Sequence, residues 1–295
     1  MTEKELFTLV GIRETPPAPV KKARRLQGFP WVSVVLLVLI VVLCLFAEVI
    51  MTKDPGYLDL KNYNVAPNAE FLFGTDTLGR DIFSGIWYGG RISITIGFLA
   101  TVISTFIAVV YGAVSGTAPG WLDGLMMRFT EIFLSVPGLL LVLFLQAILG
   151  QANVLALSIV IGVTGWASIA KVIRTEVRQI RNSEYIVASR CMGGSFFHIL
   201  GRQLAPNFIA SIMFMVVMNV RGAIGSESTL SFMGMGLPLE VISWGSMLSL
   251  SEKALLTESW WIILIPGTFL VTLLMCLTNI GNYLRKRTAA KESNL

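Results

Sequence analysis

Charged residues are scarce in this chain, and their scarcity decides its class. Lysine, arginine, aspartate and glutamate together make up 14% of the residues, whereas 54% are apolar and the mean hydropathy is +0.72. Soluble domains carry about 25% charged residues. So much apolar surface does not fit into one core surrounded by water. The composition therefore excludes an ordinary soluble domain and predicts an all-α integral membrane protein.

Residues that carry catalytic or metal chemistry are equally scarce. His198 is the single histidine, and Cys44, Cys191 and Cys276 form an odd set without metal-ligand spacing. The sequence has no G-x-x-x-x-G-K-[ST] loop, no H-E-x-x-H and no G-x-S-x-G motif. We therefore expect no catalytic residue, no metal site and no cofactor in this chain, and no nucleic acid among its partners.

Apolar stretches long enough to cross a bilayer recur along the chain, each near the roughly 20 residues that a helix needs. They are residues 31–51, Ile92–Ala118, Phe129–Leu149, Val154–Ile173, Phe208–Leu230 and Trp261–Tyr283. We therefore predict six transmembrane helices. The first begins too late and runs too long for a cleaved secretory signal, so we expect it to be retained. Pro137 and Pro266 each remove a helical hydrogen bond and predict kinks in the third and sixth spans.

Basic residues fall on alternate connections between these spans. Residues 1–30, the loop 174–207 and residues 284–295 are rich in lysine and arginine, whereas residues 231–260 hold only Lys253. An excess of lysine and arginine marks the cytoplasmic side of a membrane protein. We therefore predict a multi-pass membrane protein with both tails and the 174–207 loop in the cytoplasm.

The predicted external side begins with residues 52–91, a loop that ends in an interfacial elbow before the five-helix core at residues 92–283. Glycines around Asp76, Arg80 and Asp81 favour a tightly folded elbow, and direct contact of these charges with a substrate is the alternative. The apolar residues that follow would face the membrane interface. They are Ile82, Phe83, Ile86 and Trp87.

The stretch Asn182–Asn207 is the longest polar interval between the apolar runs of the second half. Ser183 can cap a helix that starts at Glu184. Gly193 and Gly194 can take the left-handed conformation that ends such a helix. Ser195 can cap a second short helix, and the residue before Pro206 is disfavoured in a helix. The pattern predicts two short helices with a glycine joint, built to receive a partner.

This interval resembles the EAA loop of ABC-importer permeases, whose pattern is roughly E-A-A-x3-G-x9-I-x-L-P. Ala188, Gly193 and Pro206 hold their places in that pattern. Four positions depart from it, where Val187, Ser189, Gln203 and Ala205 stand for its Glu, second Ala, Ile and Leu.

Two further stretches make the resemblance specific. FGTDTLGRDIFSGIWYGGRIS, residues 73–93, is similar to a signature of the C-type permeases of oligopeptide, dipeptide and nickel importers. ESTLSFMGMGLP, residues 227–238, and SWGSML, residues 243–248, are similar to another segment of that family.

The resemblance implies a type-1 ABC importer permease fold with a cytoplasmic coupling loop, in the bacterial cytoplasmic (inner) membrane. It implies a subunit that forms half of the translocation pathway for peptides, with nickel or a metal chelate as the alternative cargo. The implied partners are a second homologous permease, two ATP-binding subunits that hold ATP and Mg²⁺, an extracytoplasmic substrate-binding protein and the lipid bilayer. A stand-alone ion-coupled transporter would show inverted repeats, which we do not find, and an intramembrane enzyme would need a catalytic constellation.

Candidate residues for contact with the ATPase follow from the same loop. Tyr185, Ala188 and Met192 share one stripe of the predicted helix, and the small Ser189 would let a partner approach beside it. An amphipathic helix resting on the membrane surface is the alternative. The full predicted set is Ser183, Glu184, Tyr185, Ala188, Ser189, Arg190, Met192, Gly193, Gly194, His198 and Pro206.

Ionisable residues inside the spans are the candidates for a pathway or gate. Glu131 lies in the third span, and Arg221 and Glu227 lie in the fifth. Intramembrane charges are costly and normally face a bundle interior or a wet cavity. A polar lining of the pathway and an ion pair that fixes helix packing are equally consistent with the sequence. Arg221 and Glu227 are spaced to point to different faces, so we do not expect them to pair.

Overall fold

The computed structural model describes residues 28–150, 153–238, 240–250 and 259–292. Residues 1–27 of the predicted N-terminal tail (1–30) and residues 293–295 of the predicted C-terminal tail (284–295) lie outside them. We number the α-helices of the described residues α1 to α12. They are Trp31–Leu45, Ala47–Ile50, Ile82–Thr117, Gly120–Ser135, Gly138–Leu149, Val154–Thr164, Ala167–Ile180, Glu184–Cys191, Phe196–Ile199, Ala205–Phe232, Trp244–Ser249 and Trp260–Glu292. A 3₁₀ turn lies at Leu60–Asn62, and a π-helical turn at Leu200–Leu204 joins α9 to α10. The predicted helical fold class is confirmed.

The number of membrane spans is less simple than the sequence predicts. Among the described residues, two helices are long and apolar enough to cross a membrane by themselves: α3 and the Trp260–Arg287 part of α12. The pairs α4–α5 and α6–α7 reach that length only together, and they bend by 90° and 45°. If each bent pair is one span, the number rises to four. Six spans therefore stay a prediction.

The second predicted span begins earlier than expected. α3 starts at Ile82, and Ile82 and Ile86 are buried in the protein, so the predicted interfacial face is wrong. Asp81 caps the helix, since its Oδ2 accepts the Ser84 N–H at 3.0 Å. Gly90 lets α3 pack closely, because a Cβ there would lie 2.6 Å from the Trp244 ring. Gly89 and Gly90 therefore serve close packing inside α3, whereas Gly74 and Gly79, both at φ +75°, form the tight turns of the elbow before it.

The third predicted span is broken rather than continuous. α4 ends at Ser135, and Val136 and Pro137 are extended before α5 begins. Because proline cannot donate the helical hydrogen bond, the predicted kink at Pro137 is confirmed as a break of 90°. The joint of 45° between α6 and α7, at Gly165 and Trp166, was not predicted. Pro266 lies within α12, which continues past it.

Two long helices organise the interior. The described residues form three buried apolar clusters, and α3 and α10 contribute to each of them. The first cluster joins them to α1, α11 and α12; the second joins them to α7, α8 and α9; the third joins them to α5 and α6. Each of these outer helices therefore packs into a cluster that contains the same central pair.

The start of α10 corrects the expectation about the residue before proline. Ala205 is helical, with φ −56° and ψ −45°, and Pro206 lies in the first turn of α10. The Ala205 N–H bonds to the Leu200 carbonyl, five residues back, in the π-helical turn. A proline in the first turn lacks an N–H that would have no helical partner there in any case. The helix can therefore continue through it.

Candidate functional site

The helix α8 has an anchored side and an exposed side. Ile186 is fully buried, with 0% exposure, and Ser189 is buried beside it. Tyr185, Ala188 and Met192 are exposed, and the exposure of Met192 reaches 81%. The structure therefore leaves the predicted stripe accessible. Ser189 faces the protein, so its predicted place beside a docked partner is wrong.

The glycine joint depends on the small size of Ser189. Gly193 has φ +82°, the left-handed conformation that other residues rarely adopt. The Gly194 N–H donates to the Ser189 carbonyl at 2.9 Å, and a Cβ on Gly194 would lie 2.9 Å from the Ser189 hydroxyl oxygen. A larger residue at position 189 would therefore push the joint away from α8.

The remaining loop residues occupy the ends of the two short helices. The Ser183 hydroxyl donates to the Ile180 carbonyl at 2.7 Å, so the predicted side-chain cap of α8 is replaced by a bond to the preceding turn. The Ser195 hydroxyl accepts the His198 N–H at 3.4 Å, a long contact at the start of α9. Glu184 and His198 are exposed. The side chains of two predicted residues, Arg190 and Pro206, lie outside the described part.

A buried apolar contact fixes α8 to the helices around it. Ile186 belongs to the same cluster as Val177 and Ile173 of α7 and Phe208 of α10. Ile173 and Val177 also face the C-terminal half of α3, where a Cβ on Gly112 or Gly116 would lie within 3 Å of them. These residues place α8 and α7 in one buried apolar cluster, in which α7 packs closely on α3.

A second connection leads from α7 to α4 through charged groups. Arg174 donates two hydrogen bonds to Asp123, from Nε to Oδ1 at 2.6 Å and from Nη2 to Oδ2 at 2.5 Å. Arg178 adds a bond to Oδ2 at 2.7 Å, and the Ser115 hydroxyl of α3 donates to Oδ1 at 2.7 Å. We call these four residues the Asp123 clamp. It joins α3, α4 and α7 at one point.

Electrostatics favour the ionised form of Asp123. Asp123 is 4% exposed and precedes Phe129, where the third predicted span begins. The hydrogen bond from Arg174 lowers the pKa of the Asp123 carboxyl to about 2, against the opposing effect of burial. Arg181 extends the contact, since its Nη1 donates to the Gly116 carbonyl at 3.1 Å. The corner between α3 and α4 is therefore held by consecutive turns of α7.

Sequence reasoning missed the Asp123 clamp because it counted the arginines only as markers of membrane side. A signal was present, since Arg174, Arg178 and Arg181 follow helical spacing and place their side chains on neighbouring positions of one helix. An acidic residue in the preceding basic-side loop is the natural partner for such a row. Asp123 is that residue.

Glu227 lies in a cage of hydroxyl groups. Its side chain has 0% exposure, and no described cationic side chain lies within ion-pair distance of it. Each carboxylate oxygen accepts two hydroxyl donors. The donors are Ser93 at 2.9 Å, Ser228 at 3.3 Å, Ser231 at 3.0 Å and Ser243 at 2.7 Å. A buried carboxylate is tolerated when such donors replace water.

This serine cage is the meeting point of the three sequence stretches that carry the resemblance. Ser93 ends the first stretch, Ser228 and Ser231 lie in the second, and Ser243 begins the third. Trp244 adds two contacts with α3, because its backbone N–H donates to the Ser93 hydroxyl at 3.3 Å and its indole N–H to the Ile86 carbonyl at 2.9 Å. The cage therefore holds the short helix α11 against α3 and α10.

The other predicted pathway residues lie apart from the cage. Arg221 is exposed on α10, and no described residue forms an ion pair with it. This agrees with the expectation that Arg221 and Glu227 point to different faces. Glu131 is exposed on α4 and pairs with Arg128 at 3.2 Å, one turn away. The structure thus does not bring the predicted trio together.

The charges of the predicted external elbow have structural contacts. The Asp76 Oδ1 accepts the Leu78 N–H at 2.8 Å and the Arg80 N–H at 2.9 Å. Burial raises the pKa of Asp76, and these backbone bonds act in the opposite direction. Asp81 caps α3 and also accepts the Thr52 hydroxyl at 3.2 Å. These bonds favour the structural interpretation of the elbow over substrate contact.

Comparisons with known proteins place these features in a family. Residues 108–290 match the model of the "Binding-protein-dependent transport system inner membrane component" family. The chain is 36% identical over 226 residues to the dipeptide transport system permease protein DppC of Bacillus subtilis, covering 77% of this chain and 70% of that protein. It is 35% identical over 254 residues to the oligopeptide transport system permease protein OppC of the same organism, covering 86% and 83%.

A solved structure agrees with the fold. A chain of the MetNI methionine ABC transporter in inward-facing conformations aligns with a TM-score of 0.52 and 17% identity, over 69% of this chain and 96% of that one. At this identity the likeness concerns the fold alone. Taken with the matches in sequence, the chain belongs to the permease family of ABC importers, the inner membrane components of binding-protein-dependent transport systems.

Proposed function

We propose that this chain is a permease subunit of an ATP-driven peptide importer and forms half of its translocation pathway. The names of its relatives support peptides as cargo, since they include dipeptide and oligopeptide permeases from Bacillus subtilis. The observation that carries the proposal is the two-sided helix α8. Its buried Ile186 joins the permease core, while Tyr185 and Met192 remain exposed for a partner.

The proposed assembly contains a second permease, two ATP-binding subunits and an extracytoplasmic substrate-binding protein. ATP and Mg²⁺ bind in the ATP-binding subunits. This chain crosses the cytoplasmic membrane six times in the proposal. Three of the spans are α1, the Phe129–Leu149 part of the bent pair α4–α5 and the Val154–Ile173 part of the bent pair α6–α7. Both termini and α8 then lie in the cytoplasm, on the side marked by the basic residues.

The proposed mechanism begins at α8 and follows the packed contacts. Closure of the ATP-binding subunits displaces α8, and the apolar cluster around Ile186 carries the displacement to α7. The Asp123 clamp passes it on to α4, because Arg174 and Asp123 are joined by two short hydrogen bonds. α4 meets α5 at the bend of 90°, so a shift of α4 alters the direction of α5. In this proposal the bend is a hinge, and its angle differs between the two conformations of the permease.

The serine cage has a different role in this proposal. Glu227 holds α11 against α3 and α10 through Ser93 and Ser243. In our proposal Glu227 positions this segment and does not line the pathway, since its side chain is fully buried. In the proposal the cage keeps α3, α10 and α11 together while α4 and α7 move.

The cargo is tested by purifying the complete importer with its binding protein and analysing what that protein carries by mass spectrometry. The proposal predicts a mixture of short peptides. A metal ion or a metal chelate as the bound species would contradict the peptide assignment, while leaving the permease assignment in place.

A further inference from the structure

A concave site lies where the chain enters α1 and leaves the apolar part of α12. Its cavity has a volume of about 400 Å³. The lining includes Pro30, Asn279, Asn282, Tyr283, Arg285 and Lys286. The site shares no residue with α8, the Asp123 clamp or the serine cage, and none of the proposed transport steps uses it.

The polar groups of this site are suited to an anion. Arg285 and Lys286 supply positive charge, while Asn282 and Tyr283 can donate hydrogen bonds. The described residues of the lining include no acidic side chain, and no described carboxylate forms an ion pair with Arg285. The nearest charged residues before Pro30 are cationic as well. They are Lys21, Lys22, Arg24 and Arg25.

Aromatic rings mark the depth of the site in the membrane. Phe29 packs on Trp31 with ring centroids 4.7 Å apart and on Tyr283 at 5.3 Å. Trp and Tyr concentrate at the level of the lipid headgroups. Trp260 lies near the opposite end of the apolar part of α12, and a helix from there to Tyr283 measures roughly 35 Å, close to the thickness of a bilayer core. Arg285 and Lys286 therefore follow the apolar part at the level of the lipid phosphates.

We propose that this site binds the phosphate of an anionic glycerophospholipid, with Arg285 and Lys286 as its cationic contacts. The neighbouring surface argues for a lipid rather than a free phosphate, because Trp31 and Val32 of α1 are exposed directly after Pro30 and offer an apolar face to acyl chains. Basic pockets between transmembrane helices are suited to such headgroups. Asn279 is held in place by its bond to the Ser33 hydroxyl at 3.1 Å, which ties α12 to α1 beside the lipid.

The test measures lipids retained by the full chain. The protein is equilibrated in mild detergent with equal amounts of phosphatidylglycerol and phosphatidylcholine, and the retained lipids are counted by mass spectrometry. The wild type should be enriched in phosphatidylglycerol. Arg285→Gln and Lys286→Gln should each lower its retention by about fivefold, as expected for the loss of one cation near a lipid surface. Arg285→Lys should retain most of it.

Arg287→Gln is the matched control, since it removes the same charge one residue further along and Arg287 does not line the cavity. It should leave lipid retention unchanged. An equal loss in Arg287→Gln would show attraction by net charge alone and overturn the site. Equal retention of the two lipids, or displacement of phosphatidylglycerol by millimolar inorganic phosphate, would overturn the lipid as its occupant. A size-exclusion profile matching the wild type confirms that each variant is folded.

Discussion

The carboxylate of Asp123 and the guanidinium of Arg174 form a two-point contact, with bonds of 2.6 Å and 2.5 Å, between helices separated by 51 positions in the chain. Planar contacts of this kind fix orientation as well as distance. α7 leads directly into α8, and α4 leads into the bend at Pro137. This contact is therefore where we expect movement of the coupling helix to reach the rest of the permease.

Removing the carboxylate should separate ATP hydrolysis from transport. Asp123→Ala leaves Arg174 without its main partner, and we expect a loss of about 1–3 kcal/mol in stability, since Arg174 keeps some access to water. Transport by the reconstituted complex should fall at least tenfold while ATP hydrolysis continues. The measurement is peptide uptake per ATP hydrolysed.

Glu176→Gln is the control for this experiment, because it removes a carboxylate from α7 that makes no ion pair with a described residue. It should transport like the wild type. If Asp123→Ala also keeps its uptake per ATP, the Asp123 clamp does not carry the movement. The exchange Asp123→Arg with Arg174→Asp should restore part of the uptake that Asp123→Ala loses.

The Asp123 clamp also predicts how stability depends on pH. The folded state lowers the pKa of Asp123 to about 2, so its contribution is complete above the unfolded pKa of about 4 and is lost as the pH falls towards 2. The temperature of thermal unfolding should therefore fall more between pH 6 and pH 3 in the wild type than in Asp123→Asn. Parallel pH curves for the two proteins would contradict this.

The serine cage predicts a graded response at Glu227. Glu227→Gln keeps the size of the side chain, and the hydroxyl groups can rotate to suit an amide, so we expect a stability loss of about 1 kcal/mol. Glu227→Ala leaves several donors without a partner beside a void and should cost about 3 kcal/mol. Thermal unfolding of the purified chain measures both. Ser226→Ala, next to Glu227 and outside the cage, is the control; an effect as large as that of Ser243→Ala would refute the cage.

At Gly193 we expect the backbone conformation, rather than the size of the side chain, to decide which substitutions are tolerated. A Cβ at Gly193 meets no atom within 4 Å, so only the backbone conformation at φ +82° restricts this position. Gly193→Val should be strained by about 1–2 kcal/mol and impair coupling, whereas Gly193→Asn should be milder because asparagine tolerates this conformation. Uptake per ATP is the readout. Gly201→Val, which is equally open but has no positive φ, should behave like the wild type.

Cysteine labelling tests the side on which α8 lies. Cys191 is exposed, whereas Cys44 and Cys276 are buried, so a membrane-impermeant maleimide should react mainly with Cys191. We expect labelling in inverted membrane vesicles and little labelling of intact cells. Strong labelling of intact cells would reverse the proposed topology. Protection of Cys191 when the ATP-binding subunits are present would place α8 at their interface.

The sequence predicted local features whose cause is local. The start of α8 at Glu184, the left-handed Gly193 and the break at Pro137 each depend on one or two residues, and the structure contains all three. The three stretches that carry the family resemblance indicated the segments that meet at the serine cage. Gly74 and Gly79 form the tight turns of the predicted elbow, whereas Gly90 serves close packing inside α3, and only the position of Trp244 against Gly90 distinguishes these two uses of glycine.

Contacts between distant segments could not be read from the sequence. Ser93 and Glu227 are 134 positions apart, and nothing in either stretch shows that the hydroxyl faces the carboxylate. The same holds for the buried side of α8, where Ser189 was expected to face a partner. The sequence alone could not choose between Ile186, which is buried, and its apolar neighbour Val187, which is 45% exposed.

The most direct test of the central claim is peptide uptake into proteoliposomes that contain this chain, its partner permease and the binding protein, with and without the ATP-binding subunits. We predict uptake that requires both ATP and those subunits, and none in their absence. Sustained concentrative uptake by the membrane subunits alone would contradict the account.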